Sequence, residues 1–393
     1  MCVNWQGLDC VFYLKEVVRE LPKKKVVHII VGLNVGGAET MLFKLLKNAD
    51  RKKYEFKVIS MMDEGIFGGR IKELGIPVHS LGMKKGIPNP IAIKRAKSIV
   101  KDADILQTWM YHADLFGFLI RSRSRSQKLI WGIRHSNLDK DANKKMLLYV
   151  ARLNAALSKY VNLIISCSKT ASIVHGNYGY DTSKMLTIPN GFELDTFYKY
   201  VDAKSALALE LQMPLAPPLI AHVGRWEVQK DYPNLIQSIK FIHQKRPEAI
   251  FLLCGKGIDA ENKELRELME LNGVNKNVFL LGRREDIPKI LSAADLLISS
   301  SLGEGFSNVI GEAMACETPC VVTDVWDSAY IVGSHGLVVP PQNAEMLAEA
   351  VINFLNKTAE EKAAIGQQAR QRVISEFDIN KVVKKFEEQY EIK

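Results

Sequence analysis

Short apolar runs alternate with longer amphipathic runs along most of the 393-residue chain. The apolar runs of the first half predict six strands, at Val26–Val31, Phe56–Met61, Ile105–Trp109, Lys128–Ile133, Leu163–Cys167 and Met185–Ile188. The amphipathic runs between them predict helices at Ala38–Asn48, Pro90–Val100, Ala113–Arg121 and Asn143–Lys159. Strands and helices in alternation require a parallel sheet with helices on both faces, so the sequence predicts an α/β fold.

The alternation stops at Pro189-Asn-Gly191 and then restarts. A charged helix at Ala203–Leu211 and a proline-rich stretch at residues 214–218 follow this break. The second series of strands is Leu219–Val223, Ile250–Cys254, Val278–Leu281, Leu296–Ser299 and Cys320–Thr323. Its helices are Tyr232–His243, Ala344–Leu355, Ala359–Glu376 and Ile379–Tyr390. We therefore expect two doubly wound domains, at residues 25–190 and 191–376, after an N-terminal extension at residues 1–24.

The composition is that of a soluble globular protein, with 25% charged and 47% hydrophobic residues. No apolar run reaches the roughly 18–20 residues of a membrane-spanning helix, and residues 1–24 lack the pattern of a secretory signal. That segment is an extra helix, a disordered extension or a mis-assigned start. The six cysteines form no metal-binding pattern, since Cys316 and Cys320 have no further ligand nearby. We expect free thiols, no metal and a cytoplasmic location.

The two halves of the chain carry opposite charge. Residues 1–200 contain 32 Lys and Arg against 17 Asp and Glu, whereas residues 201–393 contain 21 against 27. Basic surface attracts nucleic acid or anionic lipid. The run Arg121–Lys128 and the basic amphipathic helix Asn143–Lys159 suggest peripheral contact with the inner face of a membrane. The alternative is a helix that faces the core and has a solvated basic side.

A glycine-flanked turn at Ser301-Leu-Gly-Glu-Gly-Phe-Ser-Asn-Val-Ile-Gly-Glu312 follows the strand Leu296–Ser299. Gly303 and Gly305 permit close backbone approach, and Ser307 or Asn308 can cap the helix that follows. A helix N-terminus at the end of a parallel strand suits an anion, and carboxylates suit sugar hydroxyls. Glu304 and Glu312 are therefore candidates for a nucleotide-sugar site. The alternative without a ligand is that Glu304 is a solvated loop residue and that Glu312 is favoured in the first turns of its helix by the helix dipole.

Further candidates follow other strands. Gly36 and Gly37 open the first helix, and Arg225 and Lys230 can converge on a diphosphate. His135 and His112 stand at strand ends, where a histidine can donate to a substrate hydroxyl or transfer a proton. The alternatives without a ligand are that Gly36 and Gly37 only form a tight turn, that Arg225 and Lys230 are solvated surface cations, and that the two histidines are structural.

In order along residues 26–390, five segments together resemble the retaining, GT-B-fold glycosyltransferases of family four. They are the Gly36-Gly-Ala-Glu39 loop, the Ile188-Pro-Asn-Gly191 junction, Gly224-Arg225 with Lys230, Glu304–Ala315, and Gly336-Leu-Val-Val-Pro-Pro341. The Arg134-His-Ser136 and Asp286-Ile-Pro288 segments are similar to members that build cell-surface polysaccharides.

The resemblance implies a role for each candidate. Arg225 and Lys230 would bind the donor diphosphate and stabilise the leaving group, and Glu312 would hold the ribose. The sugar and phosphate would be held by Glu304 and the residues that follow it, Gly305, Phe306, Ser307, Asn308 and Val309. Gly36, Gly37, His112 and His135 would face them from the first domain, and the backbone of Gly282 and Arg283 would meet the base.

The implied reaction transfers a sugar from a nucleotide-sugar donor to a lipid-linked or saccharide acceptor, with retention and without a metal or other cofactor. The last helix, about residues 377–393, would cross back to the first domain.

Two positions depart from the family pattern. Glu317 and Trp326 stand where glycine is usual, and the Trp326 indole would narrow, stack on or block the sugar pocket. Two alternative functions stay open: a nucleotide-sugar epimerase or hydrolase, and a non-catalytic protein that binds RNA or membrane and has a vestigial nucleotide site. Direct binding of nucleic acid is not favoured for the enzyme.

Overall fold

A computed structural model describes residues 22–34, 36–84, 89–122, 126–140, 143–303 and 305–392. The first domain contains a seven-stranded parallel sheet in the order β3-β2-β1-β4-β5-β6-β7. Its strands are β1 Lys24–Ile30, β2 Tyr54–Ser60, β3 Val78–Ser80, β4 Ile105–Trp109, β5 Lys128–Ile133, β6 Leu163–Ser166 and β7 Met185–Thr187. Its helices are α1 Gly37–Asn48, α2 Gly65–Glu73, α3 Pro90–Val100, α4 Tyr111–Ile120, α5 Lys145–Leu157 and α6 Lys169–Asn177.

The second sheet has six parallel strands in the order β10-β9-β8-β11-β12-β13. They are β8 Leu219–Val223, β9 Ile250–Cys254, β10 Val278–Leu280, β11 Leu296–Ser299, β12 Cys320–Thr323 and β13 Leu337–Val339. The helices around it are α7 Ala203–Glu210, α8 Tyr232–Lys245, α9 Lys263–Asn272, α10 Ile287–Ala293, α11 Asn308–Ala315, α12 Ser328–Val332, α13 Ala344–Leu355 and α14 Ala359–Glu376. The predicted α/β fold with two doubly wound sheets is confirmed.

Each sheet is buried on both faces, which explains its continuous apolar strands. In the first domain one core packs under α1 and α2, and another packs under α3 and α4. The second sheet is likewise covered by α8, α9 and α13 on one face and by α10, α11 and α12 on the other. Both sheets therefore present their functional loops at the carboxyl ends of the strands, where ligands of such folds bind.

The last helix, α15 (Ile379–Glu391), returns to the first domain as expected. Its apolar side, including Phe386 and Tyr390, is buried in the core under α1. The Phe386 ring stacks with Trp109 of β4 at 6.3 Å between centroids. The chain thus crosses between its two sheets twice, near residue 191 and again before α15.

The domains also touch directly along the cleft. Asp327 of the second domain accepts hydrogen bonds from the backbone N–H groups of Lys169 (2.9 Å) and Thr170 (3.0 Å) at the start of α6. The Ser136 hydroxyl donates to the carbonyl of Gly305 at 2.9 Å. The structure therefore shows the two sheets in a closed arrangement, with loops from both at the same cavity. The exact domain boundaries stay a prediction.

Candidate active site between the domains

A cavity of about 470 Å³ lies between the two sheets, lined by residues from both. The second domain contributes Val223, Arg225, Lys230, Gly305, Phe306, Ser307, Asn308, Val309 and Glu312. The first domain and the junction contribute Gly37, Thr40, Arg134, Cys167 and Asn190. The cavity thus collects most of the residues that the sequence singled out, together with five that it did not.

The sheet order explains why these loops meet. In the first sheet the order of the strands reverses between β1 and β4, and in the second between β8 and β11. Loops at such a switch point diverge and leave a crevice for a ligand. Gly37 follows β1, Arg225 and Lys230 follow β8, and the Gly305 turn follows β11. The two crevices face each other across the cavity.

The N-terminus of α11 is open toward the cavity. Ser307 occupies the N-cap position, but its side chain makes no capping hydrogen bond. Ser307 is 3% exposed, and its hydroxyl oxygen has no hydrogen-bond partner within the described ranges. A buried hydroxyl and the uncapped N–H groups of a first helical turn favour a bound anion.

The two cations approach from the loop after β8. The Arg225 side chain is 63% exposed and pairs with Glu227 at 3.1 Å. The Lys230 carbonyl accepts from the Ser300 hydroxyl at 2.7 Å, which ties this loop to the end of β11. Below them, burial and the charge of Lys230 lower the pKa of His222 to about 4, so this histidine stays neutral. The arrangement concentrates positive charge over an open helix N-terminus.

Glu312 lies one turn into α11 and lines the same cavity. Burial raises its pKa, the nearby Lys44 lowers it, and Glu193 raises it further. Lys44 of α1 donates to the carbonyl of Gly191 at 3.3 Å, so a cation of the first domain is held at the junction, where its charge acts on Glu312. Glu304 lies outside the described residues.

The predicted histidines are absent from the lining of this cavity. His135 follows β5, next to the cavity residue Arg134, and burial lowers its pKa. The Tyr111 hydroxyl lies 3.5 Å from its Nδ1 and 2.8 Å from Nε2 of His175. His112 is half-buried at the start of α4, and burial lowers its pKa as well.

Three further predicted residues are also absent from the cavity lining. Gly36 precedes Gly37 as the N-cap of α1. Arg283 is exposed after the edge strand β10. The Trp326 indole packs against Gly303, where a Cβ would lie 2.8 Å from its Nε1. The roles that the sequence gave these residues stay predictions.

Arg134 and Asn190 are the most informative residues that sequence reasoning missed. The pKa of the Arg134 guanidinium is lowered by burial to about 10, so it remains charged at neutral pH. Its Nη1 donates to Asn190 Oδ1 at 3.1 Å. Both residues belong to segments with a recognisable pattern, the Arg-His-Ser run and the Pro-Asn-Gly junction, and that was the available signal.

Two sheets of this kind with a ligand-sized cleft between them define the GT-B architecture. Residues 217–357 match the family model described as glycosyl transferases group 1, and residues 35–196 match that of glycosyltransferase family 4. The chain belongs to the group 1 glycosyltransferases, which are sugar-transferring enzymes.

Relatives and solved structures agree with this assignment. The chain is 23% identical to the glycosyltransferase EpsF of Bacillus subtilis over 77% of its own length and 79% of that protein. It is 23% identical to an N,N'-diacetylbacillosaminyl-diphospho-undecaprenol alpha-1,3-N-acetylgalactosaminyltransferase of Campylobacter jejuni, over 91% and 97%. The match to an Escherichia coli UDP-Gal:alpha-D-GlcNAc-diphosphoundecaprenol alpha-1,3-galactosyltransferase is 26% identical and spans 53% of this chain and 54% of that enzyme.

The structure of Anabaena HepE in complex with UDP and glucose superimposes with a TM-score of 0.78. That alignment is 22% identical and covers 93% of this chain and 99% of HepE, which supports the fold. No helix within the described ranges is long and apolar enough to cross a membrane.

Proposed function

We propose that this chain transfers a sugar from a nucleotide-sugar donor to a lipid-linked or saccharide acceptor during synthesis of a cell-surface polysaccharide or glycolipid. The observation that carries the proposal is the cavity in which Arg225, Lys230 and the uncapped start of α11 meet residues of the first domain. Cations and free N–H groups suit a diphosphate, and the cleft between the two domains leaves room for an acceptor. The E. coli and Campylobacter relatives carry lipid-diphosphate acceptors in their names, which supports a similar acceptor here.

The chemistry is a displacement at the anomeric carbon of the donor sugar. The bond from that carbon to the diphosphate oxygen breaks, and the acceptor hydroxyl attacks on the face from which the diphosphate leaves. The departing phosphate oxygen takes the acceptor proton, so the anomeric configuration is retained and no carboxylate nucleophile is needed. Arg225, Lys230 and the α11 amides stabilise the charge that develops on the diphosphate.

The remaining residues bind and orient the substrates in this proposal. Glu312 accepts hydrogen bonds from the ribose hydroxyls, and Glu304 does so from the donor sugar. His135 and His112, which burial keeps neutral at pH 7, contact sugar hydroxyls from the first domain. Because protein cations neutralise the leaving group, the reaction needs no metal, and addition of a chelator should leave its rate unchanged.

A transfer assay tests this function. The purified chain is incubated with a panel of nucleotide sugars and with polyprenyl-diphosphate-linked sugars, and the product is analysed by mass spectrometry and NMR. We expect one donor–acceptor pair to give a glycoside with the anomeric configuration of the donor. Donor loss without an acceptor would indicate an epimerase or hydrolase, and an inverted product would contradict the mechanism. No turnover, with tight binding to RNA or liposomes, would favour a non-catalytic role.

We also propose that α5 contacts an anionic membrane at the cytoplasmic surface. Its inner side packs into the first domain through Val150 and Ala151. Its outer side exposes Met146 (67%) and Tyr149 (69%), and Lys145 and Arg152 of the same helix are also exposed. Exposed apolar side chains among cations are typical of helices that lie in a membrane interface. The inner side of α5 supports the interpretation as a core-facing helix, and its outer side supports the interpretation as a membrane contact.

Vesicle co-sedimentation tests the membrane contact. The double variant Met146→Ser with Tyr149→Ser should bind vesicles of phosphatidylglycerol and phosphatidylcholine less than wild type. A matched control is Leu271→Ser, which replaces an apolar residue that is 82% exposed on α9 of the other domain. Equal binding by all three proteins would rule out α5 as the contact.

A further inference from the structure

The Arg134 side chain is held rigidly between the first domain and the returning helix. Its guanidinium lies 4.8 Å from the ring centroid of Trp109 and 5.4 Å from that of Phe386. Its Nη1 also lies 3.5 Å from the carbonyl of Ile188. The guanidinium lies against both rings, and these cation–π contacts limit its movement and stabilise its charge. Nη1 is therefore fixed in its direction toward Asn190.

The chemistry of arginine determines how the Asn190 amide is oriented. A guanidinium has five N–H donors and no acceptor, so the Asn190 atom 3.1 Å from Nη1 must be the oxygen. The Asn190 NH₂ group then points the other way, and it donates to Asn308 Oδ1 at 2.9 Å. Asn190 is 7% exposed, so water does not compete with these two hydrogen bonds.

The same logic carries over to Asn308. Since its oxygen accepts from Asn190, its own NH₂ group is the part of the side chain left for the cavity that Asn308 lines. In the described part of the chain, no residue accepts a hydrogen bond from this NH₂ group. Asn308 is also the first residue of α11, where the backbone N–H groups are open. Its side chain therefore adds two donors to a site that already favours anions.

We propose that Arg134 and Asn190 are positioning residues that act through Asn308, aiming its NH₂ group at the diphosphate or the sugar of the bound donor. This inference rests on the proposed function of the cavity. Arg134 lies in the first domain, Asn190 at the junction and Asn308 in the second domain, so the hydrogen bond from Asn190 to Asn308 connects the two walls of the cleft. We call this chain of hydrogen bonds from Arg134 through Asn190 to Asn308 the relay. It makes the first domain determine that Asn308, on the second-domain wall of the cleft, presents hydrogen-bond donors to the cavity.

The variant Asn190→Asp tests the relay because it keeps the shape of the side chain and removes the NH₂ group that donates to Asn308. The carboxylate of this variant can accept from Arg134 and cannot donate to Asn308, so the Asn308 amide should turn and present its oxygen to the cavity. We expect the dissociation constant for a nucleoside diphosphate to rise roughly tenfold, as for loss of one hydrogen bond to a charged group. The probe is whichever of UDP, GDP, ADP and dTDP binds wild type most tightly, measured by titration calorimetry.

A double-mutant cycle separates this effect from the added negative charge. Asn190→Asp is also measured in an Asn308→Ala background, which has no amide to turn, so there the penalty should fall to less than about threefold. An equal penalty in both backgrounds would overturn the relay and leave the proposed function intact. If thermal unfolding shows that Asn190→Asp does not fold, Arg134→Gln, whose amide can face either way, replaces it in the cycle. If wild type binds none of the four diphosphates, the proposed function fails first, and the relay fails with it.

Discussion

The two walls of the cleft are built on different principles. The wall from the second domain carries Arg225, 63% exposed on a loop and paired with Glu227 at 3.1 Å. The wall from the first domain carries Arg134, whose guanidinium contacts the rings of Trp109 and Phe386 and whose pKa is lowered by burial. The Arg225 side chain is exposed and held by one surface ion pair, whereas the Arg134 side chain is buried and held by ring contacts and by its hydrogen bond to Asn190.

We infer from this difference that Arg225 stabilises charge on the ligand, whereas Arg134 positions neighbouring side chains. Exposed cations on a loop can follow a diphosphate whose charge grows during the reaction, and they lose little by leaving a surface ion pair. A buried donor held by stacking fixes the orientation of neighbouring amides and has no freedom to adjust. We therefore expect substitutions on the second-domain wall to affect turnover, and substitutions at the contact between walls to affect closure and stability.

The largest expected effect is that of Lys230→Ala. Removing a cation from the diphosphate site should lower kcat/KM by about 10²–10³-fold, the range measured when one stabilising donor is removed from a transition state. Lys245→Ala is the matched control, since Lys245 is exposed at the far end of α8 and its loss changes the net charge equally. Turnover within twofold of wild type in Lys230→Ala would contradict the division of roles.

Gly311→Ala tests the contact between the walls. A Cβ at Gly311 of α11 would lie 2.1 Å from Cζ of Phe192, which stands at the junction. Forcing a methyl group into this contact should cost about 1–3 kcal/mol of stability and lower Tm by several degrees. Gly69→Ala on α2 is the control, because a Cβ there meets nothing within 4 Å. Equal Tm values for both variants would show that the contact between α11 and Phe192 can accommodate the extra methyl group without loss of stability.

Glu312→Gln should lower affinity for a nucleoside diphosphate about tenfold, by removing a charged acceptor from the ribose. It should also stabilise the unliganded protein at neutral pH. Burial raises the pKa of Glu312 in the folded state, so folding is favoured below its unfolded pKa of 4.5 and opposed once pH rises through the folded value.

The gain in Tm from this variant should therefore be present at pH 7.5 and vanish near pH 4. Unfolding curves at the two pH values measure it. A lower Tm at pH 7.5 would mean that Lys44 stabilises the carboxylate more than burial destabilises it.

The smallest expected effect is that of Glu227→Gln, which releases Arg225 from its surface ion pair. Such a pair contributes about 0.2–1 kcal/mol, so affinity for the diphosphate should rise by a few fold at most, and less at high salt. Calorimetry at two salt concentrations measures it. Weaker binding would mean that Glu227 orients Arg225 toward the ligand.

Much of the fold could be predicted because burial and turn chemistry act locally. The bounds of β4, β5, β8 and β9 were correct to the residue, since each is a short apolar run between polar residues. The edge strands β3 and β13 were missed, whereas β7 and β10, which are equally short edge strands, were predicted. The helix α2 contains three glycines, which weaken any helical signal.

Of the site, the sequence predicted the cations and the open helix turn and missed the residues that connect the walls. Arg134 and Asn190 gain their role from partners far away in the chain, including Phe386 and Asn308, which no local pattern reveals.

The backbone explains why glycine is favoured at the two positions that depart from the family pattern, and nothing in the structure explains the residues that replace it. Glu317 (φ 61°) and Trp326 (φ 53°) both adopt the left-handed backbone conformation in which glycine is unstrained.

A thermal-shift titration with a panel of nucleotide sugars would detect a donor bound in the cavity between the domains. We predict that one nucleotide sugar raises the Tm of wild type in a concentration-dependent manner, since ligand at 100 times its Kd adds about 2.7 kcal/mol of stability. The same ligand should give little or no shift with Lys230→Ala. A wild-type protein whose Tm is unchanged by every nucleotide sugar at millimolar concentration would contradict a nucleotide-sugar site in this cavity.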